Sequence, residues 1–303
     1  MHVTMTNGTA AAVLSDPEES GISGERRTGH PCFDRASVEH VGRMHLPVAP
    51  KCNIKCRYCE RRYGCVDGDG PGSADRVLSP ETALQRARRI LDRDVSIRAI
   101  GIAGPGDPLA NEETMTTLRL IGREFPDYIK CLCTNGLALP ERVAELKEAG
   151  LNNLTVTVNA VDPRIGAKIY AHVIREKRIY RGEEAAALLW SRQKEGIERA
   201  VDCGLRVKVN TILIPGINDE GVAGVALAVS RLGVPLMNLV PLIPRADFSH
   251  IRPPSGHTLR IIRARLQEFL PQMGWCRQCK ADAVGLLHDS ARCRTGCRSR
   301  LSI

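Results

Sequence analysis

The feature that most constrains this sequence is a regular alternation of short β-rich runs with longer segments of helical periodicity. Alternation of this kind favours a parallel sheet wrapped by helices over an all-β or all-α fold, because each parallel strand needs a crossover to return to the same end of the sheet. The predicted strands are 44–49, 97–103, 129–134, 154–159, 206–214 and 236–242. The predicted helices are 80–93, 112–124, 140–149, 183–203, 220–232 and 257–270.

These repeats predict an α/β fold: a partial (βα)6 TIM-like barrel with irregular N- and C-terminal extensions. Ser79 is a candidate N-cap for the first helix, and Gly150 and Gly204 follow the predicted ends of two others. We expect residues 30–287 to form one domain that consists of the barrel and a C-terminal segment. Residues 1–29 are expected to be a disordered leader, and 288–303 a disordered basic tail.

The composition argues against nucleic-acid and membrane partners. The net charge of +9 comes from scattered Lys and Arg, and only four Phe and five Tyr are available as stacking platforms. No run approaches the roughly 18 apolar residues of a membrane span. The polar leader lacks the basic and apolar regions of a signal peptide, so we expect a cytoplasmic protein.

Twelve cysteines are many for a cytoplasmic chain. Because such thiols stay reduced, their clustering points to metal ligation rather than to disulfides. They comprise Cys32, Cys52, Cys56, Cys59, Cys65, Cys131, Cys133, Cys203, Cys276, Cys279, Cys293 and Cys297. Only Cys203 is isolated, and we expect it to be a buried structural thiol.

The strongest motif is the C-x3-C-x2-C spacing of Cys52, Cys56 and Cys59, directly after the first predicted strand. Three thiolates can hold three irons of a 4Fe-4S cluster and leave the fourth iron open, whereas structural zinc needs a fourth protein ligand. The motif, with Tyr58 before its third cysteine, resembles the radical S-adenosylmethionine (SAM) superfamily. The resemblance implies that the open iron binds SAM and that one electron cleaves it to methionine and a 5′-deoxyadenosyl radical.

The same resemblance implies where the cofactor is bound. Gly104, Gly106 and Asp107 follow the second strand, where the superfamily has a glycine-rich loop that contacts the cofactor's amino group. There Asp107 can pair with an ammonium group. Ribose and adenine contacts are expected from Thr134, Asn135, Asn159 and Ile212. A structural turn or a polar group of a strand explains each of these positions about equally well.

Several loops together resemble the NifB family of nitrogenase cofactor maturases, over about residues 30–287. The matching segments are 30–33, 43–45, 52–65, 101–111, 131–137 and 276–285. The resemblance implies a reaction on iron-sulfur clusters: two substrate 4Fe-4S units are coupled, with a sulfur and a carbide derived from the SAM methyl group, to give an 8Fe-9S-C precursor. One SAM donates the methyl group, and a second supplies the radical that abstracts hydrogen from it.

This chemistry requires ligands beyond the first motif. Alternation along a strand lets His45 point into the barrel while Leu46 and Val48 pack outward, and it puts Cys131 and Cys133 on one face. The ligand hypothesis assigns one substrate cluster to Cys32, His45 and Cys131 and the other to Cys65, Cys276 and Cys279. Exchanging Cys32 with Cys65 fits almost as well. A core role for His45, and a zinc half-site at Cys276 and Cys279 with Cys293 and Cys297, are the alternatives.

Some features depart from the family pattern or leave the function open. Cys133 stands where a small or hydroxyl residue is expected, so it is either an extra ligand or a bystander. We do not expect the further C-terminal cofactor-binding domain that many family members carry, so a separate carrier or scaffold protein is expected downstream. Iron-sulfur cluster donors and an electron donor such as ferredoxin are the other expected partners. The competing functions are a radical SAM enzyme that modifies a peptide or small molecule with an auxiliary cluster, and a non-catalytic iron-sulfur scaffold.

Overall fold

The computed structural model describes residues 29–63 and 70–288. Its strands are β1 (Gly42–His45), β2 (Ile54–Cys56), β3 (Arg62–Tyr63), β4 (Ser73–Ala74), β5 (Ile97–Ile102), β6 (Ile129–Thr134), β7 (Asn153–Thr157), β8 (Tyr170–Arg175), β9 (Arg178–Tyr180), β10 (Arg206–Leu213), β11 (Leu236–Pro241) and β12 (Val284–Gly285). Its helices are α1 (Pro80–Leu91), α2 (Glu112–Glu124), α3 (Leu139–Glu148), α4 (Pro163–Ile169), α5 (Gly182–Asp202), α6 (Val222–Arg231) and α7 (Gly256–Leu266).

The main sheet has the strand order β11-β10-β7-β6-β5-β1-β12. Neighbouring strands from β1 to β11 run parallel, and only β12 runs antiparallel, against β1. The sheet curls into a partial barrel with helices on its outside, so the carboxyl ends of the six parallel strands meet at one rim. This is the predicted architecture.

All six predicted strands and all six predicted helices are confirmed, with differences at their ends. Ser79 caps α1 by accepting a 3.2 Å hydrogen bond from the backbone N–H of Thr82. Gly150 and Gly204 follow α3 and α5 with φ angles of +79° and +78°, which only glycine adopts readily. The last helix ends at Leu266 rather than at residue 270, because the chain enters turns ahead of Pro271.

The sequence patterns did not predict α4, the hairpin of β8 and β9, or the short strands β2, β3, β4 and β12. The hairpin pairs antiparallel with β2 through Ile54 and Val173, so a small second sheet braces the cysteine motif. The strand β2 has only three residues and lies inside the cysteine motif. It therefore shows no periodicity from which a strand could be predicted.

The core lies between the outer face of the main sheet and the helices. Leu46 and Val48 are fully buried there, as the alternation along the first strand predicted. The thiol of Cys203 is half-buried instead of buried, because this residue lies just beyond the end of α5 at the edge of the core.

Within the described ranges, no helix has both the length and the apolar character needed to cross a membrane. The predicted leader before residue 29, the tail after residue 288, Cys65, Cys293 and Cys297 lie outside the described residues.

Candidate functional site

A cavity of about 320 Å³ opens inside the curl of the sheet. It brings together fourteen of the predicted site residues: Cys32, His45, Cys52, Cys56, Tyr58, Cys59, Gly106, Asp107, Cys131, Asn135, Asn159, Ile212, Cys276 and Cys279. Gly104 and Thr134 belong to the supporting turns and do not line it. We call Cys52, Cys56 and Cys59 the outer loop. The inner set consists of Cys32, His45, Cys131, Cys276 and Cys279.

The outer loop includes β2: Cys52 precedes this strand, Cys56 is its last residue, and Cys59 lies in the turn that follows it. The backbone N–H of Cys59 donates to the carbonyl oxygen of Cys56 over 3.1 Å. The Tyr58 hydroxyl is hydrogen-bonded to the Cys56 thiol and accepts a 2.9 Å hydrogen bond from Nδ2 of Asn159, at the end of β7. Asn135 Nδ2, at the end of β6, lies 3.8 Å from Cys52 Sγ. Two strand ends thus orient the loop.

The surroundings of the outer loop fit an iron-sulfur cluster. Burial raises the pKa of Cys52 to about 11 and that of Cys56 well above its usual value, so both thiols keep their protons unless a metal compensates the thiolate charge. In residues 29–63 and 70–288, no three His, Cys, Asp or Glu side chains converge on one metal ion. This spacing does not fit zinc, whereas a cubane binds each thiolate to a different iron.

The glycine-rich loop packs against the chain that follows β1. Gly106 N–H donates to the carbonyl oxygen of Ala49 over 2.6 Å, and Asp107 N–H donates to that of Lys51 over 2.9 Å. A Cβ atom at Gly106 would lie 2.1 Å from the Lys51 oxygen, so only glycine fits. The glycine-rich loop therefore joins the segment after β5 to the segment after β1 beside the cavity.

The carboxylate of Asp107 is occupied by donors of the protein. It accepts hydrogen bonds from the Thr134 hydroxyl at 2.9 and 3.0 Å, from Asn135 N–H at 2.5 Å and from Leu109 N–H at 2.9 Å. Burial raises the pKa of Asp107 to about 6, even though these donors favour its charged form. Asp107 thus holds the turn after β6 in place, and its pairing with an ammonium group stays a prediction.

Two buried amide side chains that were not predicted as site residues, those of Asn218 and Gln193, hold the neighbouring strand ends. Asn159 Oδ1 accepts from Ile212 N–H over 2.9 Å, and Asn218 Nδ2 donates to the carbonyl oxygen of Asn159 over 3.0 Å. Gln193 Nε2 donates to the Asn135 carbonyl oxygen over 2.7 Å. Gln193 lies on the buried face of α5. One polar residue within an apolar stripe was the only sequence signal for it.

The inner set begins with His45 and Cys131, which face each other across β5. Both pair with Gly101 in the sheet register. A Cβ atom at Gly101 would lie 2.6 Å from Cys131 Sγ and 3.1 Å from the His45 ring. The missing side chain at Gly101 therefore makes the space in which the thiol and the imidazole approach one another.

The His45 imidazole is neutral and carries its proton on Nδ1. Its Nδ1 lies 3.0 Å from the Lys280 carbonyl oxygen, which can only accept, so Nδ1 carries the proton and Nε2 keeps its lone pair. Burial, reinforced by the charge of Arg43, lowers the pKa of His45 to about 4. Since His45 faces the cavity and not the hydrophobic core, its geometry favours ligation over the core role.

The remaining inner cysteines come from the two extensions of the barrel. Burial raises the pKa of Cys32 to about 11, and the negative charges of Cys279 and Cys276 act in the same direction. Arg43 Nη2 donates to Cys279 Sγ over 3.0 Å. Because Cys32 interacts electrostatically with Cys131 as well as with the C-terminal pair, its assignment between the two substrate clusters stays open.

Cys133 also lines the cavity, one pleat beyond Cys131 and hydrogen-bonded to the Thr157 side chain. Burial raises its pKa to about 11. Two further cavity residues were missed by the sequence analysis, Lys208 and Asn238, of which Asn238 Oδ1 is buried without a hydrogen-bond partner in the described residues. The signal available for Lys208 was a charged residue between two valines in the middle of a predicted strand.

Comparison with known proteins identifies relatives along most of the chain. The model of the Radical SAM superfamily matches residues 46–228. The FeMo cofactor biosynthesis protein NifB of Klebsiella pneumoniae is 40% identical over 293 residues, covering 94% of this chain and 63% of that protein. The protein of the same name from Methanocaldococcus jannaschii is 42% identical over 261 residues, covering 86% and 87%. This chain therefore spans under two thirds of the first relative and most of the second.

Among solved structures, the chain resembles SuiB of Streptococcus suis with a TM-score of 0.57 and 12% sequence identity. The likeness covers 77% of this chain and 49% of that one, and it concerns the fold alone. It confirms the predicted partial barrel of the radical SAM type. The superfamily match across the outer loop and the glycine-rich loop, together with the two relatives, shows that this chain belongs to the radical SAM superfamily and, within it, to the NifB family.

Proposed function

We propose that this chain is a radical SAM enzyme of nitrogenase cofactor assembly. In the finer proposal, it fuses two substrate 4Fe-4S clusters, inserting a SAM-derived carbide and a sulfur, to form an 8Fe-9S-C precursor. Support comes from relatives named FeMo cofactor biosynthesis proteins, at about 40% identity over most of this chain. The competing peptide-modifying and scaffold functions become outcomes of the test below.

The observation that carries the proposal is that one cavity contains two separate groups of side chains of the types that ligate iron. The outer loop presents three thiols from one short segment, and the inner set presents an imidazole and four thiols from other parts of the chain. A radical enzyme with an organic substrate needs space and polar contacts at this position, whereas a cluster substrate needs exchangeable soft ligands. The inner set supplies such ligands.

We assign the resident 4Fe-4S cluster to Cys52, Cys56 and Cys59. When bound, this cluster and SAM supply the radical and the methyl group of the reaction. The protein's contribution is orientation: Asn159 and Tyr58 steer the Cys56 thiol, and the glycine-rich loop offers backbone groups at the rim. Asn135, Asn159 and Ile212 line the cavity beside the outer loop, in positions suited to ribose and adenine.

The inner set is assigned to the substrate clusters. His45 and Cys131 with Cys32 hold one, and Cys276 and Cys279 with Cys65 hold the other. A neutral imidazole binds iron less strongly than a thiolate does, so a cluster held by His45 can be released into the coupling step. We further propose a cytoplasmic location and, as partners, iron-sulfur cluster donors, an electron donor such as ferredoxin and a downstream carrier or scaffold protein.

Anaerobic reconstitution with iron and sulfide tests the proposal. The reconstituted protein should bind about twelve irons, four for each of three cubanes. Addition of SAM and a strong reductant should release 5′-deoxyadenosine and produce an 8Fe species that can be extracted and identified by spectroscopy. A modified organic substrate without an 8Fe species would favour the peptide or small-molecule enzyme, and no SAM cleavage at all would favour the scaffold.

A further inference from the structure

One buried cation in the cavity has no role in the assignments above. Lys208 lies on β10 with only 4% of its surface exposed, and it lines the cavity. Its Nζ donates to the Cys32 carbonyl oxygen over 3.0 Å and contacts Met273 Sδ at 3.6 Å. The Phe33 ring centroid lies 4.8 Å from the same nitrogen. An ammonium has three N–H donors, so one remains for a group in the cavity.

No carboxylate neutralises this ammonium among residues 29–63 and 70–288: its partners are one carbonyl, one thioether and one aromatic ring. Of the carboxylates that line the cavity, Asp107 is occupied by Thr134, Asn135 and Leu109, and Glu60 acts on Cys59 at the rim. An unpaired charge in a desolvated place costs several kcal/mol, so such a group normally has a counter-ion. Within the described part of the chain, Lys208 therefore has no carboxylate as a counter-ion.

Two thiols that line the cavity, those of Cys32 and Cys133, interact electrostatically with Lys208. Cys133 pairs with Thr155 in the sheet register, and Thr155 pairs with Lys208, so these residues form one row across three strands. The charge of Lys208 lowers the pKa of Cys32 and of Cys133, against the larger effect of burial. Iron-sulfur clusters with thiolate ligands carry net negative charge. An anionic cluster held by Cys32 and Cys131 thus supplies the missing counter-charge.

Arg43, a buried cation that contacts Cys279 of the inner set, differs from Lys208 in this respect. Arg43 is fully buried, and its guanidinium donates to the carbonyl oxygens of Gly285 and Leu286 and to Cys279 Sγ. Arg43 thereby fastens the C-terminal segment to β1. Lys208 fastens only the Cys32 carbonyl and keeps donor capacity for a ligand.

We propose that Lys208 is a binding residue for the anionic iron-sulfur substrate held by Cys32, His45 and Cys131. Its ammonium compensates the negative charge of the cluster and donates a hydrogen bond to a cluster sulfide. This inference rests on the proposed function, because it requires a substrate cluster in the inner set. The positive charge of Lys208 also indicates which end of the cavity binds the substrate, without reference to the predicted ligands.

Variants at position 208 test the inference. Lys208→Met keeps the length of the side chain and removes its charge, and Lys208→Arg keeps a charge. The matched control is Lys130→Met. Lys130 is also 4% exposed, but it lies on the face of β6 opposite Cys131 and Cys133, and it donates to the Pro126 carbonyl oxygen. Iron per chain is counted after anaerobic reconstitution, and denaturant unfolding of the iron-free protein is measured in parallel.

Lys208→Met should bind about four irons fewer than the wild type, the content of one cubane. Its iron-free form should unfold at an unchanged or higher denaturant concentration, since removing an unpaired buried charge does not weaken a fold. Any inner cluster that remains should be reduced at a more negative potential, because a nearby positive charge no longer favours the added electron. Lys208→Arg should recover most of the iron, and Lys130→Met should bind the wild-type amount.

The outcomes separate this inference from the proposed function. Unchanged iron content and potential in Lys208→Met, with about twelve irons in the wild type, would overturn the role of Lys208 alone. Iron loss accompanied by a destabilised iron-free protein would overturn it too, because Lys208 would then act through the fold. Wild-type protein that binds only about four irons would contradict the proposed function and this inference with it.

Discussion

The outer loop and the inner set share one cavity but are built in different ways. The outer loop takes its three thiols from eight consecutive residues, with neighbouring strand ends supplying only orientation. The inner set takes its ligands from the N-terminal extension, β1, β6 and the C-terminal segment. A local site can be recognised from spacing, whereas a site assembled from distant segments exists only when the sheet register is correct.

Electrostatics separates the two regions as well. Lys55, Arg61 and Arg245 act on Cys59 from the rim, where water screens their charges. Around the inner set the cations are Arg43 and Lys208, both buried. Charge at the inner set is therefore screened less by solvent. Removing a charged side chain there should change ligand binding more than removing a charged side chain at the rim. The four predictions that follow test this division, from the largest expected effect to the smallest.

Cys56→Ser should have the largest effect. It removes one of three iron ligands of the outer loop, so the protein should lose about four irons and form no detectable 5′-deoxyadenosine. Iron analysis and product chromatography measure both quantities. Cys203→Ser, at the edge of the core, is the control and should behave like the wild type. SAM cleavage by the Cys56 variant would contradict the assignment of the resident cluster.

His45→Ala and Cys131→Ser should separate the two regions. Each removes an inner ligand, so iron content should fall by about four while 5′-deoxyadenosine formation continues at the intact outer loop. The yield of the 8Fe species should drop below detection. If iron content and 8Fe yield stay at wild-type values, these residues are not ligands.

Gly101→Ala should block the inner set without changing any ligand. The new methyl group would lie 2.6 Å from Cys131 Sγ, and such overpacking costs about 1–3 kcal/mol. We expect partial loss of inner iron and normal SAM cleavage. Gly274→Ala is the control, since a Cβ atom there meets nothing within 4 Å. Equal iron contents in the two variants would argue against the approach of His45 and Cys131 across β5.

Tyr58→Phe should have the smallest effect, confined to the outer loop. It removes a hydrogen bond to the Cys56 thiol worth about 0.5–1.5 kcal/mol, so the resident cluster should become harder to reduce. An anaerobic potentiometric titration followed by electron paramagnetic resonance measures the shift. Iron content should not change. Tyr128→Phe, which packs edge-on against Phe125 far from the cavity, should leave the potential unchanged.

Much of the fold was predictable because its helices carry their own boundary signals. Ser79 before α1 and Gly204 after α5 act within a few residues, so the sequence shows them directly. The hairpin of β8 and β9 was missed because its pairing with β2 depends on residues more than 100 positions apart. The end of α7 was placed too late because hydrophobic periodicity continues past Leu266 into turns.

The candidate site was predictable to a smaller extent. Spacing identified the outer loop, and the family resemblance proposed His45, Cys131 and the C-terminal pair, whose meeting in one cavity the structure supports. Gly101 and Lys208 were not anticipated. An absent side chain and a buried charge have meaning only through their neighbours, which lie on other strands.

By itself, the sequence determined the parallel α/β architecture and the three-thiol loop, because periodicity, caps and ligand spacing act over short stretches of chain. The tertiary structure alone decided that Asp107 holds the turn after β6, that His45 carries its proton on Nδ1, and that Lys208 has no carboxylate partner within the part of the chain that the structure describes. Each of these depends on which groups share a desolvated space. That sharing is set by strand register and curl, which no local pattern specifies.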